Sequence, residues 1–456
     1  MIAYMLALFS AGIPPELVIS SLAEEKDYNP YVFTIKKIKR LVSGFRYKFN
    51  AAINYVSKKV KIRYFKEFLL RFSQAVTFGD DMVSFLNREI EFIINEYSAN
   101  LSRKIESMNN FLSIYATLNS SLTFLIADMT ILSLLYNAGI QIILDIELMS
   151  LVIVGFVTLM MYSMYRPESY IIYSIIDKVL FAGTIMIVTF VSLIYTNYIL
   201  IAALGGVLIA IGMRYRILDS KINSMERHYL LFIRYLAQNY ALVGNLQESI
   251  ISVMRGDLGN ARELVKRMVR RLKFGVDDER VLNLAGKESR SVLISIINMI
   301  LYKTVSAGGN MMIVGEVLNK VGDTILNIRA RKEQNGRAFE TSIYTLQVST
   351  AAVSAAIIAV VGILSLIFSS QNVSTVFQFS PVNIGLVERL LLIMLVFLSI
   401  ANGIAISIAY GKSIYVSLYF IGILMAMSAI SYHIVLVFTN HLFASFFSSS
   451  PINIQS

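Results

Sequence analysis

Along this 456-residue chain, stretches of amphipathic pattern alternate with stretches of membrane length. Within residues 1–112 and 215–342 apolar positions recur at three- and four-residue spacing, with no period-two run of any length, which is the pattern of amphipathic helices. Elsewhere charge almost vanishes. A bilayer-crossing helix needs roughly 20 mostly apolar residues, and such segments fall at 113–136, 147–165, 178–195, 197–214, 345–368, 386–410 and 414–438. The pattern predicts an all-α, polytopic membrane protein: helical block 1–112, membrane block 113–214 with about four spans, helical block 215–342, membrane block 343–438 with about three, and a tail 439–456. The run 179–213 is uncharged, with a polar pause at Tyr195-Thr196-Asn197-Tyr198. Each half is only about 26 Å long at the helical rise, yet two crossings are expected. A single one would put the two polar blocks on opposite faces of the membrane.

Composition agrees. The chain is 56% hydrophobic and 16% charged, against about 25% charged in soluble domains, and its mean hydropathy is +0.64. A net charge of +11 is compatible with nucleic acid or anionic lipid until the charges are located. Of 41 Lys and Arg, 37 lie in 1–112 and 214–342; Arg166, Lys178, Arg389 and Lys412 flank apolar runs. The positive-inside bias then makes both blocks and the N-terminus cytoplasmic and the tail external, with no role for nucleic acid. The loop 369–385, external by the same count, carries Asn372-Val373-Ser374, which makes Asn372 a candidate glycosylation site. With no cysteine and three scattered histidines, neither a disulfide nor a metal centre is expected. No cofactor is expected either.

The two polar blocks repeat each other. Gly12, Gly44 and Gly79 in the first match Gly244, Gly275 and Gly309 in the second at offsets of 232, 231 and 230 residues, the signature of a duplicated domain. Gly12-Ile13-Pro14-Pro15 ends one helix and starts another, since proline is tolerated in a first turn. Asp80-Asp81 follow Gly79 where a helix begins, so they read as helix caps or as a partner contact. From Met82, and again from Met311, helical pattern runs into the next span, as a stalk would.

The densest basic run is Arg262, Lys266, Arg267, Arg270, Arg271 and Lys273 before Gly275; Lys36, Lys37, Lys39 and Arg40 hold the equivalent place before Gly44. Residues 262, 266 and 270 share a helix face. Such a face is a solvated surface, a dock for an acidic protein, or a contact with anionic lipid. Asp128 is the one ionisable residue read as deep within a span, as interhelical glue or as a gating or partner-contact residue. Gly411-Lys412-Ser413 resembles the end of a phosphate-binding loop, but Ile406 stands where its first glycine belongs.

A helical block with an Ala11-Gly12-Ile13-Pro14 turn, then Gly44, then Phe78-Gly79-Asp80, followed by a stalk into the membrane, resembles the F-domain family of type II secretion. Gly244, Gly275 and Ala307-Gly308-Gly309 repeat the plan. The extra spans and absent cysteine look like the archaeal branch, which assembles adhesive pili and archaella. The resemblance implies a non-enzymatic platform: the cytoplasmic blocks dock a hexameric secretion ATPase, and the membrane part receives pilin subunits. A homodimer is expected, because a symmetric motor must meet a symmetric platform. The rival class is a permease or channel.

Overall fold

The computed structural model describes residues 1–25, 28–135, 140–165, 170–370 and 383–449, so Asn372 and the end of the tail lie outside the described residues. In chain order the helices are α1 (Ile2–Phe9), α2 (Pro15–Glu24), α3 (Tyr31–Lys39), α4 (Phe49–Ser57), α5 (Arg63–Phe78), α6 (Met82–Leu135), α7 (Ile140–Met164), α8 (Ile175–Ile194), α9 (Tyr198–Val243), α10 (Leu246–Val253), α11 (Arg262–Lys273), α12 (Asp278–Ser289), α13 (Val292–Ser306), α14 (Met311–Ser370), α15 (Ile384–Ala409) and α16 (Ser417–Ser449). The protein is a polytopic all-helical membrane protein. Local chemistry sets many of the boundaries. Pro15 opens α2, and the side chains of Asn245, Asp277, Ser291 and Asn383 accept backbone N–H groups at the starts of α10, α12, α13 and α15.

The chain divides into two compact units. The first holds Met1–Ser102, Tyr170–Ile172 and Ser220–Ile328. The greater part of both polar blocks therefore shares one unit, and a single apolar core takes Phe68 and Phe72 from one and Tyr229, Phe232 and Ile297 from the other. The helix order α2–α6 recurs as α10–α14. The copies interlock. The Tyr4 hydroxyl meets Ser21 Oγ at 2.8 Å and donates to Glu25 Oε1 at 3.3 Å, and Glu25 pairs with Lys303 of α13 at 3.2 Å. Burial pushes the Tyr4 phenol above its ordinary pKa. Asn310 N–H donates to Ser10 Oγ at 3.0 Å.

The second unit holds Arg103–Ser169, Tyr173–Asp219 and Arg329–Ser456. Among the described residues six helices are long and apolar enough to cross a membrane, with segments Gln141–Met164, Ile175–Ile194, Tyr198–Val243, Met311–Ile363, Ile384–Ala409 and Ile414–Leu442. The seventh segment expected, 113–136, is the second half of α6 and runs up to the residues left undescribed. The uncharged run 179–213 is broken at residues 195–197, where the polar pause lies, into α8 and α9. Helices α9 and α16 meet backbone to backbone: a Cβ on Gly205 would stand 2.8 Å from Gly422 O, and one on Gly212 would stand 2.2 Å from Tyr419 N. Small residues permit such approach in membrane bundles. Lys412 pairs with the buried Asp219 at 3.5 Å.

Candidate functional site

The repeated glycines of the first unit are helix-ending turns. Gly12, Gly79, Gly244, Gly275 and Gly308 have φ between 69° and 74°, the left-handed conformation that closes helices after their last turn. Two of the matched glycines differ from the rest. Gly44 is not left-handed: it closes a π-helical turn, Arg40–Gly44, and Arg46 takes the positive φ instead. In the second block Gly308, not Gly309, is the left-handed residue. Gly309 is needed for space, since a Cβ there would lie 2.7 Å from Ala7 O. Pro14 occupies the N-cap of α2. At the start of α6 the cap is Asp81 rather than Asp80: its carboxylate accepts from Val83 N–H and Ser84 N–H, each at 3.2 Å. Those bonds and one from the Ser84 hydroxyl hold its carboxyl below the ordinary range, the hydroxyl contributing most.

The basic helices follow from amphipathic spacing. Helix α11 buries Leu264, Val265, Met268, Val269 and Leu272, which turns its six cations outward. They are not equivalent. Arg267 pairs with Glu288 of α12 at 3.4 Å, and Arg271 bonds the same carboxylate. Arg262, Lys266, Arg270 and Lys273 are exposed, and no carboxylate is recorded in ion pairing with them among the described residues. On α3, which buries Val32, Ile35 and Ile38, Lys39 pairs with Glu24 at 3.0 Å, while Lys36, Lys37 and Arg40 are exposed. The unpaired cations of α11 thus form a stripe at i, i+4, i+8 and i+11.

Each basic helix ends beside an exposed phenylalanine, which the sequence reading did not single out. Phe274 is 81% exposed and Phe45 is 73% exposed. Lys36, Lys39, Arg40, Ser43, Gly44 and Phe45 line a shallow concavity. The signal was in the sequence, as an aromatic adjoining the terminal glycine in both copies, Gly44-Phe45 and Phe274-Gly275. Arginine and aromatic side chains together are the residue types that dominate protein–protein hot spots.

Asp128 is exposed on α6, and the interhelical glue expected of it is made by amides. Asn402 Oδ1 accepts from the Tyr115 hydroxyl at 2.9 Å and from Asn119 Nδ2 at 3.0 Å, and Asn402 Nδ2 donates to Gln347 Oε1 at 2.7 Å. Among the described residues no group of three or more His, Cys, Asp or Glu could hold a metal ion.

A helical bundle of repeated element order with basic, aromatic-tipped faces, joined in one chain to apolar helices of bilayer length, defines a multi-pass membrane protein. Residues 1–129 match the model of the family Type II secretion system (T2SS), protein F. Over 444 residues it is 23% identical to "Flagella accessory protein J" of Methanocaldococcus jannaschii, covering 91% of this chain and 77% of that protein. A relative of the same name in Methanococcus voltae is 20% identical over 436 residues, 89% of this chain and 78% of its own length. No solved structure matches.

Proposed function

We propose that this protein is the membrane platform of a filament-assembly machine of the type IV pilus and archaellum kind. The observation that supports the reading is the match of residues 1–129 to protein F, together with a helix order that recurs as α10–α14 and unpaired cations beside an exposed aromatic in each block. In this proposal the first unit is cytoplasmic and docks a hexameric secretion ATPase through Arg262, Lys266, Arg270 and Phe274, with Lys36, Lys37, Arg40 and Phe45 as the companion patch. The membrane unit receives pilin subunits, and the platform works as a homodimer. No step of this role needs covalent chemistry from the chain. The relatives' name favours the archaellum branch, and the adhesive-pilus branch is the other outcome of the test.

Gene deletion followed by electron microscopy and a swimming assay tests the role. Loss of swimming with loss of the motility filament makes it the archaellum platform, loss of thin filaments alone makes it a pilus platform, and normal filaments with normal swimming refute both. Docking is tested by reversing Arg262, Lys266 and Arg270 to Glu, which leaves the Arg267–Glu288 and Arg271–Glu288 pairs intact. Reversal should abolish ATPase co-purification without affecting membrane insertion; unchanged co-purification removes the stripe from the interface. A permease is tested by transport through Asp128→Asn, which this reading expects to be without effect on filament assembly.

A further inference from the structure

The connection from α7 to α8 is divided: Tyr170–Ile172 belong to the first unit, although the residues on either side belong to the second. These three residues are held by an antiparallel β-bridge between Ile171 and Ser291, which lies between α12 and α13. Ile172 N–H donates to Arg290 O at 2.9 Å, and Val292 N–H donates to Tyr170 O at 3.1 Å. The side chains alternate as in a strand. Ile171 is 2% exposed and Ile172 is 48% exposed.

The receiving junction is fixed by three helices. Ser291 is fully buried; its hydroxyl accepts from Ile294 N–H of α13 at 3.1 Å and donates to Glu226 Oε1 of α9 at 2.5 Å, and its N–H donates to Ser289 Oγ of α12 at 3.1 Å. The repeated helix order supplies a control. The equivalent junction of the first block, between α4 and α5, carries no β-bridge among the described residues, so folding of a block does not require one. What the bridge adds is a hold on the chain that leads into α8. Ile172 is three residues from Ile175, the first residue of α8, and at most about 11 Å of extended chain separates them.

We propose that Tyr170–Ile172 form a coupling strap, which passes a displacement of α12 and α13 to the start of the membrane-length helix α8. Paired antiparallel backbone bonds fix register as well as contact, so the strap must follow the junction when it moves. The purpose given to the strap rests on the platform reading; the bridge itself can be measured without it.

Val292 is the first residue of α13, a position where proline is tolerated because its N–H has no intrahelical partner. Ser291 before it already has the extended backbone that proline demands, with φ −99° and ψ 125°. Val292→Pro therefore removes one bridge bond and spares the helix. Amide exchange read by mass spectrometry on the full-length protein in nanodiscs should rise at Ile172 by roughly three- to tenfold, the worth of one hydrogen bond. Cells carrying the variant should lose their filaments while ATPase co-purification is retained. Ile172→Pro, which removes the other bond from the strap side, should abolish filaments too. Unchanged exchange at Ile172 in Val292→Pro overturns the bridge. Normal filaments in both variants, or loss of ATPase co-purification along with the filaments, overturn the coupling. Gene deletion without effect on filaments refutes the platform reading itself, so the two failures are distinct.

Discussion

Alanine at Gly275 and at Gly44, two positions that the repeat places in register, should change stability in opposite directions. Gly275 has φ 74°; its N–H reaches Leu272 O at 2.9 Å, and Val276 N–H reaches Arg271 O at 3.1 Å, which closes the end of α11. A Cβ there would meet nothing within 4 Å, so the cost of alanine is purely that of a left-handed backbone, roughly 1–2 kcal/mol. Gly44 also has open space around its missing Cβ, but it sits in a π-helical turn without a positive φ. Alanine there restricts the unfolded chain at no native cost, a gain of about 0.4–1 kcal/mol. In a unit of about 200 residues 1 kcal/mol moves the unfolding midpoint by roughly 2–4 °C. Scanning calorimetry of the full-length protein in nanodiscs should therefore show a fall of about 2–8 °C for Gly275→Ala and a rise of about 1–4 °C for Gly44→Ala. An equal fall for both would mean that Gly44 is held in the same turn as Gly275, and the distinction drawn here between the two copies would fail.

Three further substitutions probe other parts of the chain. Asp81→Ala removes the cap of α6 and should cost about 1 kcal/mol. Because the folded carboxyl titrates below its unfolded value near 4, that difference is fully present above about pH 4 and shrinks as pH falls through the folded value, which unfolding midpoints across pH 2–7 would reveal. Gln347→Leu leaves Asn402 Nδ2 without its acceptor and takes from Ser399 and Ser428, whose hydroxyls still donate to Leu395 O and Leu424 O, the bond each accepts from Gln347 Nε2; it should cost about 1–3 kcal/mol in nanodiscs, and an unchanged midpoint would show that the amide chain contributes nothing. Gly422→Ala places a Cβ 2.6 Å from Gly205 O, a backbone atom that moves only if α9 and α16 part, so a loss of about 1–3 kcal/mol is expected from overpacking, checked against Gly206→Ala, where the space is open.

What was legible in the sequence is what depends on local pattern. The helices of the first unit and the break at residues 195–197 follow from spacing, and the glycine turns from the chemistry of a residue without Cβ. Tertiary partners were not legible. Helix α1 buries every residue from Tyr4 to Phe9, and an apolar run of that kind serves equally whether it packs on its own block or on α13 of the other, so the merging of two expected bundles into one core left no mark. Arg267 and Arg271 were grouped with Arg262 and Arg270 because their charges are alike. Glu288, which pairs with only the former two, lies on the next helix and has no pattern linking it to them.

The same limit separates Asp128 from Glu147 of α7, a carboxylate 3% exposed with neither oxygen hydrogen-bonded. Asp128 was singled out because it lies centrally in an apolar run, whereas Glu147 fell at the edge of one, beside Asp145. Position within a run measures depth along a helix and is blind to rotation about its axis. Rotation decides the chemistry: Asp128 faces outward from α6, while Glu147 shares the inward face of α7 with Ile143 and Val154. An exposed carboxylate can find a counter-charge in lipid headgroups, water or a neighbouring subunit, so it constrains little. A carboxylate shut inside the bundle without a donor must be neutralised from within, and that requirement makes Glu147, rather than the more conspicuous Asp128, the residue whose replacement by an uncharged isostere is informative.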